Sequence, residues 1–131
     1  MPLVIIRTTI AAPIHAVWKA LLEHAGSPLL GGRRPLELVV AEQREPHAVV
    51  FGIEARLVQQ QRCGPLASLC LERELEAVDS KTTRLADRIT FRAAGPFGWV
   101  AGYSTMRWRL GRAIRRQQSL IRQRAESMAG A

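Results

Sequence analysis

The sequence predicts an α+β fold: a curved antiparallel sheet of about five to seven strands with an amphipathic helix at each end of the meander. Three observations predict it. Apolar residues alternate with polar ones at period two through much of residues 36–93, the mark of half-buried antiparallel strands. Near both ends the apolar spacing changes to three and four, the mark of a helix with one buried stripe. Finally, residues 96–131 hold seven arginines and one glutamate, so about +6 of the formal +8 charge sits on the last element. Both helices have to bury their stripes, and one face of the sheet is the surface available.

Taken in order, Leu3 to Ile10 is β-branched and apolar and reads as a strand. Ala11-Ala12-Pro13 ends it, and Pro13 suits the first turn of a helix over 13–25. In that helix Ile14, Val17, Trp18, Leu21 and Leu22 recur at helical spacing, and Gly26 is a stop. Residues 26–35, GSPLLGGRRP, are turn chemistry with room for a single helical turn at most. Leu36 to Gln43 reads as a strand, followed by a turn at Arg44-Glu45-Pro46. His47 to Gln61 alternates as one long strand or two short ones, with Gly52 as a bulge or bend. Cys63-Gly64-Pro65 then breaks the pattern.

Leu66–Val78 and Thr82–Ala93 form a predicted hairpin around Asp79-Ser80-Lys81. Leu69, Leu71, Leu75 and Ala77 share one face of the first arm; Thr83, Leu85, Ile89 and Phe91 share one face of the second. Glycines 95 and 98 with Pro96 mark the turn into the terminal helix. Its stripe is Trp99, Tyr103, Met106, Leu110, Ala113, Ile114, Gln117 and Ile121, opposite Arg109, Arg112, Arg115, Arg116 and Arg122.

A chain of 131 residues is expected to fold as one domain over 1–131. It has no run of eighteen apolar residues, so no membrane span is expected. No basic flank precedes an apolar signal core, which makes the cytoplasm the expected compartment. Cys63 and Cys70 are the only cysteines, too few for a disulfide scaffold or a zinc site, and a reduced, buried role is expected. His15, His24 and His47 lack partners at metal-ligand spacing, and only His47, at a strand start, could reach a cavity mouth. No nucleophile elbow, phosphate loop or dinucleotide fingerprint is present, so no metal, cofactor or catalytic residue is assigned.

The element order resembles the START-like (SRPBCC) superfamily, the helix-grip fold of polyketide cyclases, coenzyme Q-binding proteins and lipid-transfer domains. The residues that carry the resemblance are VIIRTTIAAPIHAVWKALLEH (4–24), TTRLADRITF (82–91), and GPFGWV (95–100) leading into the arginine-rich helix. The resemblance implies a sheet wrapped around the C-terminal helix with an apolar cavity between them. It also implies a small hydrophobic ligand of polyketide, quinone or lipid type, and in some members cyclase or dehydratase activity. It transfers no catalytic residue, because members share the fold without one chemistry.

The sharpest local signal lies in the hairpin. The parity that points Leu71 and Leu75 inward also points Arg73 inward, and the parity that buries Leu85 and Ile89 buries Asp87. Any register that keeps the apolar faces together sets Arg73 opposite Asp87 or one diagonal step away. A buried arginine needs a carboxylate, and this pair supplies it. Two readings follow: an ion pair that braces the sheet, or a polar anchor for a ligand. On the second reading Arg73, Asp87, Tyr103 and His47 fix polar atoms, while Trp99, Leu71, Phe91 and Met106 line the cavity.

Trp108 points about 180° from Trp99, among arginines. Packing under a loop or against a second subunit is the expectation, since residues 1–95 carry only about +2 and show no basic-aromatic interleaving. The competing function is an interaction protein whose arginine face binds an acidic partner, nucleic acid or an anionic membrane surface. A homodimer is a further expectation, because a short sheet leaves edge strands to cover.

Overall fold

In a computed structural model the chain is described over residues 3–25, 37–46, 53–63, 66–93 and 98–129, with backbone alone at 37, 53–54, 62–63, 66–67, 93 and 98–105. The elements follow the predicted order: β1 (Leu3–Ile10), α1 (Ile14–Ala25), β2 (Glu37–Arg44), β3 (Ile53–Cys63), β4 (Leu66–Ala77), β5 (Thr83–Ala93) and α2 (Gly98–Ala129). Helix α1 starts one residue after the expected position, with Pro13 as its cap: the Pro13 carbonyl accepts the first helical bond, from the Val17 amide at 3.1 Å. The expected strand beginning at His47 falls partly outside the described residues; the described strand opens at Ile53.

The five strands form one sheet in the order β1-β5-β4-β3-β2, antiparallel throughout. The first strand therefore closes against the last, with α1 crossing between. Register shifts between Glu37 and Leu38, between Val40 and Glu42, and between Ile53 and Ala55 mark bulges. A bulge bends and over-twists its strand, which is how a five-stranded sheet acquires the curvature to enclose a helix.

The hairpin turn closes as its composition predicts. Val78 N–H donates to Thr82 O at 2.9 Å, and Asp79 Oδ1 accepts from the Lys81 amide at 2.7 Å, an Asx turn that tightens the loop. Leu71, Leu75, Leu85, Ile89 and Phe91 are fully buried on the concave side, and Thr83 Oγ1 reaches Ala12 O at 2.8 Å.

Two apolar clusters lie on the concave side. One joins Ile10, Val17, Trp18 and Leu21 to Leu57, Leu75, Leu85, Ile121 and Ala125. The other joins Val4, Ile6, Leu69, Leu71, Ile89 and Phe91 to Leu110 and Ile114 on α2. Helix α2 runs for 32 residues, about 48 Å, and contributes side chains to both clusters. Its far end is tied by polar contacts: Glu126 Oε1 accepts from the Ala11 amide at 3.2 Å, and Arg124 donates to Glu23 on α1 at 3.0 Å. The bond from Arg124 holds the exposed Glu23 carboxyl below the usual glutamate range, against a small opposing effect of desolvation.

Gly111 sits in the interior of α2, where a Cβ would meet Ile6 Cδ1 at 3.9 Å, an ordinary contact. Gly111→Ala is therefore expected to stabilise the fold by about 1 kcal/mol through helix propensity, read as a higher urea midpoint at unchanged slope. A lowered midpoint would show that the helix needs the glycine for a closer approach than the structure contains.

No helix among the described residues is long and apolar enough to cross a membrane. Cys70 carries a free thiol that is only half-buried, on the outer face rather than in the core as expected. The cause is parity, since its neighbours Leu69 and Leu71 take the inward positions. Desolvation, with Glu72 adjacent, pushes the thiol's pKa up and keeps it protonated near neutrality.

Candidate functional site

The pairing of β4 with β5 sets Arg73 directly opposite Asp87, and the next strands extend the row to Leu57 on β3 and Ile6 on β1. Arg73 and Asp87 are both fully buried. Arg73 Nε donates to Asp87 Oδ1 at 2.9 Å, and Nη2 approaches Oδ2 at 3.4 Å. A third donor arrives from the helix: Gln118 Nε2 lies 2.8 Å from Asp87 Oδ2 and 3.1 Å from the Ile6 carbonyl oxygen. One carboxylate thus joins β4, β5 and α2, and the same glutamine reaches β1.

These residues form a polar belt between the two apolar clusters. Arg73 lies between Leu71 and Leu75, Asp87 between Leu85 and Ile89, and Gln117 with Gln118 between Ile114 and Ile121. Gln117 and one further buried glutamine, Gln59, extend the belt to α1. Gln59 Nε2 donates to Ala25 O at 2.8 Å, and Gln117 Nε2 to His24 O at 3.4 Å. They satisfy carbonyls that the end of α1 leaves without helical partners.

Two atoms of the belt have no hydrogen-bond partner among the described residues: the buried donor Arg73 Nη1 and the buried acceptor Gln117 Oε1. A buried polar group left unpaired costs about 1–3 kcal/mol; both atoms are shut off from solvent, so a molecule that recovers that free energy has to displace the packing around them. The charge of Arg73 is already balanced by Asp87. The belt therefore offers hydrogen bonds at no net charge.

Of the residues singled out from sequence, Arg73 and Asp87 meet as predicted. Leu71 and Phe91 lie together in the second cluster, and Met106 packs against it while partly exposed. Trp99 and Tyr103 lie on α2 where the backbone alone is described, and His47 lies outside the described residues. The part of the expected hollow that Trp99, Tyr103 and His47 were to line lies outside the described residues. Sequence reasoning missed Gln118, Gln59 and the role of Gln117. The sequence signalled only Gln117, a polar residue inside the apolar sector of Ile114 and Ile121.

Trp108 is 63 % exposed in the single chain, with the Arg112 guanidinium 5.4 Å from its ring centroid. No described loop covers it because this side of α2 faces away from the concave surface. Among the described residues no cluster of three or more His, Cys, Asp or Glu could hold a metal. An open recess of about 630 Å³ lies on the outer sheet face, lined by Arg7, Thr9, Glu74, Glu76 and Arg84 among others. It is polar, and the Arg84–Glu76 ion pair at 3.7 Å lies within it. The recess is on the wrong side of the sheet to reach the belt.

A curved antiparallel sheet gripping a long C-terminal helix, with a short helix completing the concave side, is the START-like, helix-grip fold. Solved structures agree along nearly the whole chain. A protein of Thermus thermophilus is 15 % identical, with 98 % of this chain and 99 % of that one covered at a TM-score of 0.65. The Zhui aromatase/cyclase of Streptomyces sp. R1128 is 20 % identical, with 98 % and 93 % covered at 0.54. A START superfamily protein of Mycobacterium smegmatis is 10 % identical, with 96 % and 98 % covered at 0.65. No family model and no curated protein matches the chain. At such identities the likeness establishes the fold, and the chemistry rests on the belt.

Proposed function

We propose that this protein binds a small, neutral, largely apolar molecule against the concave face, with an oxygen of the ligand accepting a hydrogen bond from Arg73 Nη1. The observation that carries this reading is a fully buried arginine with one nitrogen unpaired among the described residues. Leu71, Phe91, Met106, Trp99, Tyr103 and His47 are the proposed lining. The aromatase/cyclase and START superfamily likenesses support a ligand of polyketide, quinone or lipid character.

Charge selects further within that class. Asp87 neutralises Arg73, so a ligand carboxylate would bring an uncompensated negative charge into the interior, at a cost of several kcal/mol. A carbonyl meets the same donor without that cost, and a hydroxyl can serve Gln117 Oε1. Cyclisation or dehydration would need a proton donor and acceptor besides the folded pocket. Asp87 is already engaged by three donors, so binding is the function proposed, and any cyclase-like activity would rest on other residues.

Native mass spectrometry of freshly purified protein is expected to show a bound neutral species, and to count subunits in the same spectrum. Flavone, a neutral apolar ketone, should raise the melting temperature, while decanoate should not. The variant carrying both Arg73→Met and Asp87→Val, which keeps the interior uncharged, should retain its fold and lose both effects. An unliganded native protein that ignores flavone, or a double variant that binds it as well as wild type, would overturn the reading.

A further inference from the structure

The surface between β1 and α2 carries a second feature that the belt does not use. Strand β1 ends the sheet order, with β5 on one side and no strand on the other among the described residues. Beside it lies an open groove of about 570 Å³, lined by Val4, Ile5 and Ile6 from β1 and by Arg107, Trp108, Gly111, Arg112 and Arg115 from α2. Successive strand residues point to opposite faces, so a recess that touches three in a row runs along the strand's edge rather than over either face. The Gln118 side chain donates to the Ile6 carbonyl beside it.

The walls are amphipathic. Ile5 is 46 % exposed and Trp108 63 %, which leaves apolar surface in contact with water. Arg107, Arg112 and Arg115 are exposed, and no carboxylate pairs with them among the described residues, whereas Arg122 and Arg124 have Glu126 and Glu23. Contact of Arg112 with the Trp108 ring restrains its guanidinium at the groove's rim. Arginine is the side chain best suited to grip a carboxylate with two parallel hydrogen bonds.

We propose that this groove binds an extended acidic segment of a partner protein, added alongside β1 as a further strand while its carboxylates pair with Arg107, Arg112 and Arg115. Edge pairing supplies main-chain hydrogen bonds, and alternate side chains of the segment fall on Ile5 and Trp108 or reach the arginines. A second copy of this chain fits poorly, because it carries +8 overall and a two-fold contact would set one arginine cluster against the other. A bilayer fits poorly too: the apolar groups line a recess, and a lipid surface is met by protruding ones. Single-stranded nucleic acid would match the arginines, but stacking along a strand requires a series of aromatic platforms. Trp108 is the one exposed aromatic among the described side chains. The proposal is independent of the ligand-binding reading, since the groove residues Arg107, Trp108, Arg112 and Arg115 contribute nothing to the belt.

The test uses the full chain and a fluorescein-labelled peptide of about eight residues in which Glu and Val alternate, roughly the length of an edge strand. Fluorescence anisotropy should show saturable binding that weakens about tenfold or more when salt is raised from low to high ionic strength. The Gln-for-Glu peptide, and the protein carrying Arg112→Glu and Arg115→Glu with an unchanged melting curve, should each lose at least about tenfold in affinity. Two peptides N-methylated at the odd or the even residues separate strand addition from charge alone: one parity should lose binding and the other keep it. Failure of the acidic peptide to bind, or equal behaviour of the two N-methylated forms, overturns the proposal. So does tighter binding of a uridine oligonucleotide of equal charge, or a dimer of this chain that the two charge reversals dissolve.

Discussion

Asp87→Asn is expected to destabilise the fold by about 3–5 kcal/mol, because it leaves a charged arginine buried without its counter-ion. Asparagine is nearly isosteric and can still accept from Gln118, so packing is preserved and the loss isolates the charge. Against a typical domain stability of about 5–15 kcal/mol the change is large enough to read directly from urea denaturation. The double variant Arg73→Met with Asp87→Val should recover most of the loss, because removing both charges also removes their desolvation cost. Gln118 keeps its bond to Ile6 O in that background. If the double variant were as unstable as the single one, the pair would be bracing the sheet through its hydrogen bonds, and the anchor reading would lose its basis.

Phe91→Ala is expected to cost about 3–5 kcal/mol, the usual range for deleting a fully buried aromatic ring. Phe91 is completely buried in the cluster built from Leu69, Leu71, Ile89, Leu110 and Ile114. Leu85→Ala, in the other cluster, is expected to cost about 2–5 kcal/mol. The two substitutions are similar in stability and different in function. Phe91 is proposed as lining for the ligand and Leu85 is not, so Phe91→Ala should change the flavone response beyond its effect on the melting temperature. Leu85→Ala should shift the baseline alone. Identical flavone responses in the two variants would place the ligand elsewhere.

The hairpin was legible because one strand period fixes everything in it. Once Leu71, Leu75, Leu85 and Ile89 must share a face, Arg73 and Asp87 have no other place to go, and the observed register sets them directly opposite. Gln118 shows where that logic stops. On a helical wheel it stands about 100° from Gln117, at the margin of the stripe. Only a sheet that curves around α2 widens the buried sector enough to enclose both. Gln59 was equally silent, since its partner is the main chain at the end of α1, 34 residues away in sequence.

By itself the sequence determined the element order, the inward faces, the buried pair and the arginine-rich side of α2, because all of these follow from periodicities that each segment carries internally. Only the tertiary structure decided that β1 closes against β5, that two glutamines complete the belt from the helix, and that β1's open edge lies beside Trp108 and three arginines. Those outcomes depend on how the sheet bends and where α2 crosses it. Bending and crossing are settled by contacts between residues tens of positions apart, which local spacing does not encode.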